Sequence, residues 1–160
     1  MATKSLTFME AVKTCFKKYA TFKGRARRSE FWWFYLFLCI PNWIFSCILY
    51  FTGSAKQALV DQATTMAFSG QDISALAAQE ETYAHINLVL MILMVAWALF
   101  TLIPSLAAWV RRLHDVGKSG NILWLGLLCG IGFIIALVMC IPDGNPEPNQ
   151  YGESPKYKLE

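Results

Sequence analysis

Two short stretches hold the side chains whose types and spacing suit chemistry. FKGRARRSEFWWF contributes Arg25, Arg27, Arg28 and Glu30, and RRLHDVGKSG contributes Arg111, Arg112, His114, Asp115 and Lys118. An arginine guanidinium grips a carboxylate or phosphate through two parallel hydrogen bonds. Glu30 and Asp115 are therefore expected to orient some of these arginines, leaving others, helped by Lys118, for an anion such as a lipid headgroup. The plainer use of the same residues is topogenic charge solvated among headgroups. His114 beside Asp115 has the composition of a general base or a metal ligand. No second ligand set and no nucleophile stands at matching spacing, so no catalytic residue, metal or cofactor is assigned. Gly117-Lys118-Ser119 resembles the end of a phosphate-binding loop, but Arg112 stands where that motif needs its first glycine.

The elements that must position these residues belong to a membrane protein. Hydrophobic residues make up 56% of the 160-residue chain and charged residues only 16%, against about 25% in an average soluble domain. The apolar residues lie in three uncharged blocks, 31–52, 86–110 and 121–141. Each reaches the roughly 20 residues with which a helix crosses about 30 Å of hydrocarbon. The expected architecture is one all-α membrane domain with three transmembrane helices. Pro41 and Pro104 are kink candidates, since neighbouring helices can satisfy the freed carbonyls. The first block is longer than a signal-peptide core and is read as a retained anchor. The five cysteines form no CxxC pair and are read as reduced packing residues.

Orientation follows from the basic residues. Lys4, Lys13, Lys17, Lys18, Lys23, Arg25, Arg27 and Arg28 precede the first block, and Arg111, Arg112 and Lys118 separate the second from the third; only Lys56, Lys156 and Lys158 lie elsewhere. The positive-inside rule puts the N-terminus and the 111–120 loop in the cytoplasm, and the 53–85 loop and the 142–160 tail outside. Gly126, Gly130 and Gly132 leave open a re-entrant third block that would return the tail to the cytoplasm. Gly126 and Gly130 also form a GxxxG packing face for another helix of this chain or of a second copy.

Residues 7–19 read as an amphipathic helix with a Thr7/Glu10 capping box, lying along the interface or packed beneath the bundle. The 53–85 loop reads as two helical stretches broken at Ser69-Gly70, the second running into the next span with Asp72 or Ser74 as cap. The tail, dense in Pro, Gly and Asn, reads as irregular. No carboxylate or histidine lies inside a block, which counts against a proton- or sodium-coupled transporter.

The chain is thus expected to be a non-enzymatic membrane protein whose Arg/His/Asp layer binds anionic lipid headgroups or a partner protein, with no nucleic-acid partner. An oligomeric channel or carrier for a small solute is the alternative, and a membrane enzyme using His114 and Asp115 comes third.

Three stretches, YATFKGRARRSEFWWF, PSLAAWVRRLHDVGKSG and PDGNPEPNQYGESPK, together resemble the bacterial inner-membrane family of domain of unknown function 805, in order and over most of the chain. The resemblance implies a bacterial cytoplasmic membrane location and no established activity. Asn121 departs from the tryptophan common after KSG in that family, and the 53–85 loop is longer than its usual connection.

Overall fold

The computed structural model describes residues 5–124 and 131–157. Its helices run in the order α1 (Phe8–Lys17), α2 (Arg28–Phe68), α3 (Ser74–Asp115) and α4 (Ile131–Met139), and no strand occurs among the described residues. The chain divides into two compact units, Met1–Leu38 with Thr101–Glu160, and Cys39–Phe100.

Two helices, α2 with 41 residues and α3 with 42, are long and apolar enough to cross a membrane. Few side chains in their apolar stretches are buried: Trp43, Phe51 and Leu99 are each about two-thirds exposed or more. A soluble helix of this composition would bury its apolar side chains against other elements, so a hydrocarbon solvent accounts for their exposure. At 1.5 Å per residue each helix is roughly 60 Å long, twice the hydrocarbon thickness. The 53–85 loop is accordingly no separate insertion but the continuation of both helices, joined by a turn at 69–73. Gly70 closes α2 at φ +73°, where its own amide donates to Ala67 and that of Gln71 to Met66. These are the paired bonds of a left-handed helix stop. Asp72 then accepts from the Ser74 amide at 2.9 Å and starts α3. In this second unit Thr52 donates to Asn87, and Lys56 pairs with Glu80 at 3.5 Å.

The first unit bears on two expectations. Its α1, begun by the Thr7 amide donating to Glu10 at 2.9 Å, does not give its apolar face to the bilayer interface. Val12 and Cys15 pack instead with Phe34 and Ala108, and the Phe16 ring meets Phe34 and Phe37 edge-on at 5.6 and 5.9 Å. Aromatic side chains in the first turns of α2 cover the stripe that the interface was expected to cover. Lys13 and Lys17 remain exposed.

The other expectation concerns the third apolar block, read as a span. Among its described residues are a single helical turn at 122–124 and the nine-residue α4. Leu123 near its start and Ala136 and Cys140 near its end share one apolar cluster with Phe31 and Leu113. A straight 20-residue helix would hold its ends about 30 Å apart. Leu123 and Cys140 thus share one cluster at the end of α3, closer together than a straight helix would hold them, and among the described residues two helices, α2 and α3, are long and apolar enough to span. The GxxxG glycines Gly126 and Gly130 lie outside the described residues.

Candidate functional site

The candidate site is assembled where α3 stops. Gly117, at φ +73°, donates to His114 at 3.1 Å, and Lys118 donates to Leu113 at 2.9 Å. This left-handed stop ends the helix at Asp115 with both arginines of its last turns still inside the fold. The Ala26 amide donates to the Arg111 carbonyl at 2.9 Å, which draws the 24–28 segment alongside. Five charged residues are buried as a result: Arg25, Glu30, Arg111, Arg112 and Asp115.

They form two nodes. In the first, Arg111 donates from Nη1 to Glu30 Oε1 at 2.9 Å and from Nε to the Ala107 carbonyl at 3.1 Å, while Nη2 faces Cys15 Sγ at 4.0 Å. Lys18 approaches the other Glu30 oxygen at 3.8 Å from the surface. Burial, and then the Glu30 charge, push the Cys15 thiol up to about 12. It therefore stays a neutral thiol, packed against Glu30 rather than poised as a nucleophile.

In the second node Asp115 is shared by two arginines. Arg25 Nε donates to Oδ1 at 2.9 Å and Arg112 Nη1 donates to Oδ2. The remaining donors of both guanidiniums turn to the backbone of the tail. Arg25 reaches the carbonyls of Glu147 at 2.8 Å, Gly152 at 3.3 Å and Asn145. Arg112 reaches those of Cys140 at 3.1 Å, Ala26 at 3.5 Å and Pro142. The Asn145 amide returns a bond to the Asp115 carbonyl at 3.0 Å. Gly144 lies so close to Asp115 that a Cβ there would overlap its carboxylate.

His114 takes no part in either node. Its Nδ1 lies 3.2 Å from the Gly24 carbonyl, and its ring stacks flat on Tyr151 at 3.7 Å. A carbonyl only accepts, so Nδ1 carries the proton. Neighbours in sequence, His114 and Asp115 thus serve different partners, and no catalytic pair forms between them.

The structure brings together Arg25, Glu30, Arg111, Arg112 and Asp115 and leaves Arg27, Arg28 and Lys118 outside that knot. Arg111, Arg112, His114 and Asp115 all lie in the last turns of α3. The pairs actually made are Arg112 with Asp115 and Arg111 with Glu30, because adjacent arginines point about 100° apart around a helix. Arg28 and Lys156 instead hold the two oxygens of exposed Asp143, at 3.3 and 3.0 Å. The Lys156 bond, and then that of Arg28, keep this carboxyl below the usual range. Beside them a cleft of about 280 Å³ is lined by Arg27, Arg28, Lys156, Ser5 and Ser29, with Asp115, Asp143 and Gly144 on its other side. No group of three or more potential metal ligands occurs among the described residues. Cys15, Gly144, Asn145 and Tyr151 belong to the site without having been singled out in the sequence. Only the glycine and asparagine of the PDGN turn carried a signal, and it read as loop.

Comparison with known proteins adds the following. A family model described as protein of unknown function (DUF805) matches residues 19–153. Inner membrane protein YhaI of Escherichia coli (strain K12) is 30% identical over 141 residues, covering 88% of this chain and 91% of that protein. Inner membrane protein YhaH of the same strain is 29% identical over 140 residues, with the same coverage. No solved structure matches the chain.

Proposed function

The chain belongs to the DUF805 family of proteins of unknown function, and from that premise we propose that it crosses the inner membrane twice and binds anionic phospholipid headgroups on its cytoplasmic face. The cleft of Arg27, Arg28 and Lys156 carries this reading. Arg25, Arg111 and Arg112 spend their donors on protein acceptors and act as the frame of that face. Arg28 and Lys156 already bind the oxygens of Asp143, an arrangement that a phosphate can take over, since exposed ion pairs of this kind are worth only about 0–1 kcal/mol. Lys13 and Lys17 on the outer side of α1 extend the basic surface.

The orientation follows from the tail. Because Arg25 and Arg112 hold residues 140–152 beside the basic N-terminal segment, both ends share one face, and the positive-inside rule makes that face cytoplasmic. This reading differs from the extracytoplasmic tail expected from three spans. A fluorescent protein that matures only in the cytoplasm, fused after residue 160, is expected to fluoresce. A periplasm-dependent phosphatase at the same point is expected to stay inactive, and the opposite pair of results would restore three spans.

Lipid binding is tested by native mass spectrometry after gentle detergent extraction. Wild type should retain phosphatidylglycerol or cardiolipin. Arg27→Ala with Arg28→Ala should lower retention roughly 30-fold, two cations near a headgroup contributing about 1 kcal/mol each. Retention indifferent to headgroup charge, or unchanged in the double variant, would reject the reading.

A further inference from the structure

A second concavity lies on the same unit, away from the Arg27 and Arg28 cleft. It is a groove of about 340 Å³, within the roughly 300–1,000 Å³ usual for small-ligand sites. Its walls change character along the chain. Leu106 and Val110 from the last turns of the apolar 86–110 block, with Trp124 and Phe133 from the third block, make one part. His114 and Ser119 from the 111–120 stretch and Asn121 at the start of the third block supply the polar groups, and the rings of Phe22 and Tyr151 complete the lining. Gly120 brings the backbone of this second part against α3: a Cβ there would lie 2.8 Å from Val110 Cγ1, so only glycine lets the loop close the groove.

From this division we infer that the groove holds one acyl chain of a membrane lipid, its carbons against Leu106, Val110 and Phe133 and its ester or hydroxyl end among His114, Ser119 and Asn121. Two observations commit the groove to that occupant. Its apolar walls are continuous with exposed side chains, Trp124 at 67% and Phe133 at 41%, on segments whose composition places them in hydrocarbon. An apolar hollow open to the bilayer is filled by the apolar material around it, which is acyl chain. The order of its walls is also the order of a lipid, hydrocarbon first and then a few hydrogen-bonding groups at the level where the span ends. Protonation of His114 at Nδ1 leaves Nε2 of the neutral ring an acceptor, while Ser119 and Asn121 offer both donors and acceptors. Among the described residues no charged side chain lines the groove, so it selects for a chain and a neutral polar end and not for headgroup charge. In that respect it is independent of the basic cleft proposed above.

The experiment uses the full chain in nanodiscs doped with phosphatidylethanolamine or phosphatidylglycerol bearing a diazirine on one acyl chain, with adducts mapped by mass spectrometry. Labelling of residues 106–124 and 133 should saturate with probe and be alike for the two headgroups. Labelling around Leu99, an exposed lipid-facing position, should rise in proportion to probe. Leu106→Trp, which fills the groove, should lower the saturable component about tenfold and leave the Leu99 signal unchanged. Should that variant fail to fold, Ser119→Ala with Asn121→Ala is to be read instead, with the adduct at 119–124 reduced and that at Phe133 kept. Arg27→Ala with Arg28→Ala should not alter groove labelling, so failure of the headgroup reading and failure of this one are told apart. Labelling that never saturates and matches the Leu99 background would overturn the inference, as would saturable labelling that persists in the filled groove.

Discussion

Asp115→Ala is expected to destabilise the protein by about 3–5 kcal/mol, the cost of removing one partner from a buried ion pair. Asp115 is the common acceptor of Arg25 and Arg112, whose side chains are 1% and 0% exposed. Without it two guanidiniums stay buried with only carbonyl oxygens to receive their charge. Relaxation to a hydrated arrangement requires the tail to leave, because its carbonyls take the remaining donors of both. Two readouts follow. The thermal midpoint of the detergent-solubilised protein should fall well below that of wild type. A glutamate-specific protease should cut after Glu153, which precedes Ser154, in the variant under conditions that leave wild type intact. A variant within 1 kcal/mol of wild type, its tail still protected, would mean that the knot does not hold the fold. Asp115→Asn, which keeps one acceptor oxygen and the shape, should fall between.

Gly144→Ala should produce much of the same phenotype from the other side of the contact. The glycine is not in the left-handed region, so its backbone accepts alanine; the cost is steric, since the added methyl overlaps the Asp115 carboxylate. Overpacking of a filled site costs about 1–3 kcal/mol, and here the bonds to Pro142 and Asn145 are lost with it. The clearest check is a double-mutant cycle. In the Asp115→Ala background the carboxylate is gone, so Gly144→Ala should become nearly neutral. Additive costs would show that Gly144 acts through its own turn and not through Asp115. Gly152→Ala, at φ +122° with open space around it, supplies the contrasting case in which strain alone is read.

The sequence carried the local half of this structure. The apolar blocks that become α2 and α3, the stops at Gly70 and Gly117, and the Asp72 start are written in composition and in residues with one conformational use. The return of the tail is not. Arg25 and Arg112 bind it through main-chain carbonyls, which every residue has, so the PDGNPEPNQYG stretch shows no periodicity or charge by which to find its partner. The length of α2 and α3 beyond the membrane was obscured because Ala-, Gln- and Thr-rich segments signal helix weakly, and a Ser-Gly break draws attention to the turn instead. The two charged stretches could be seen to share a level but not to pair. Whether Arg111 or Arg112 meets Asp115 depends on a rotation about α3 that neighbours on other segments decide. Cys15 is found through its contacts with Glu30 and Arg111, and Tyr151 through His114, all on other segments of the chain.

The arginine–carbonyl knot also sets an order of events during synthesis. Residues 25 and 112 precede the tail in synthesis, so until residues 140–152 follow them two guanidiniums lack part of their eventual partners. Water and headgroups must hold those charges until the last stretch of chain arrives and displaces them. A chain that stops before the PDGN turn thus leaves Arg25 and Arg112 without these carbonyl partners at the end of α3.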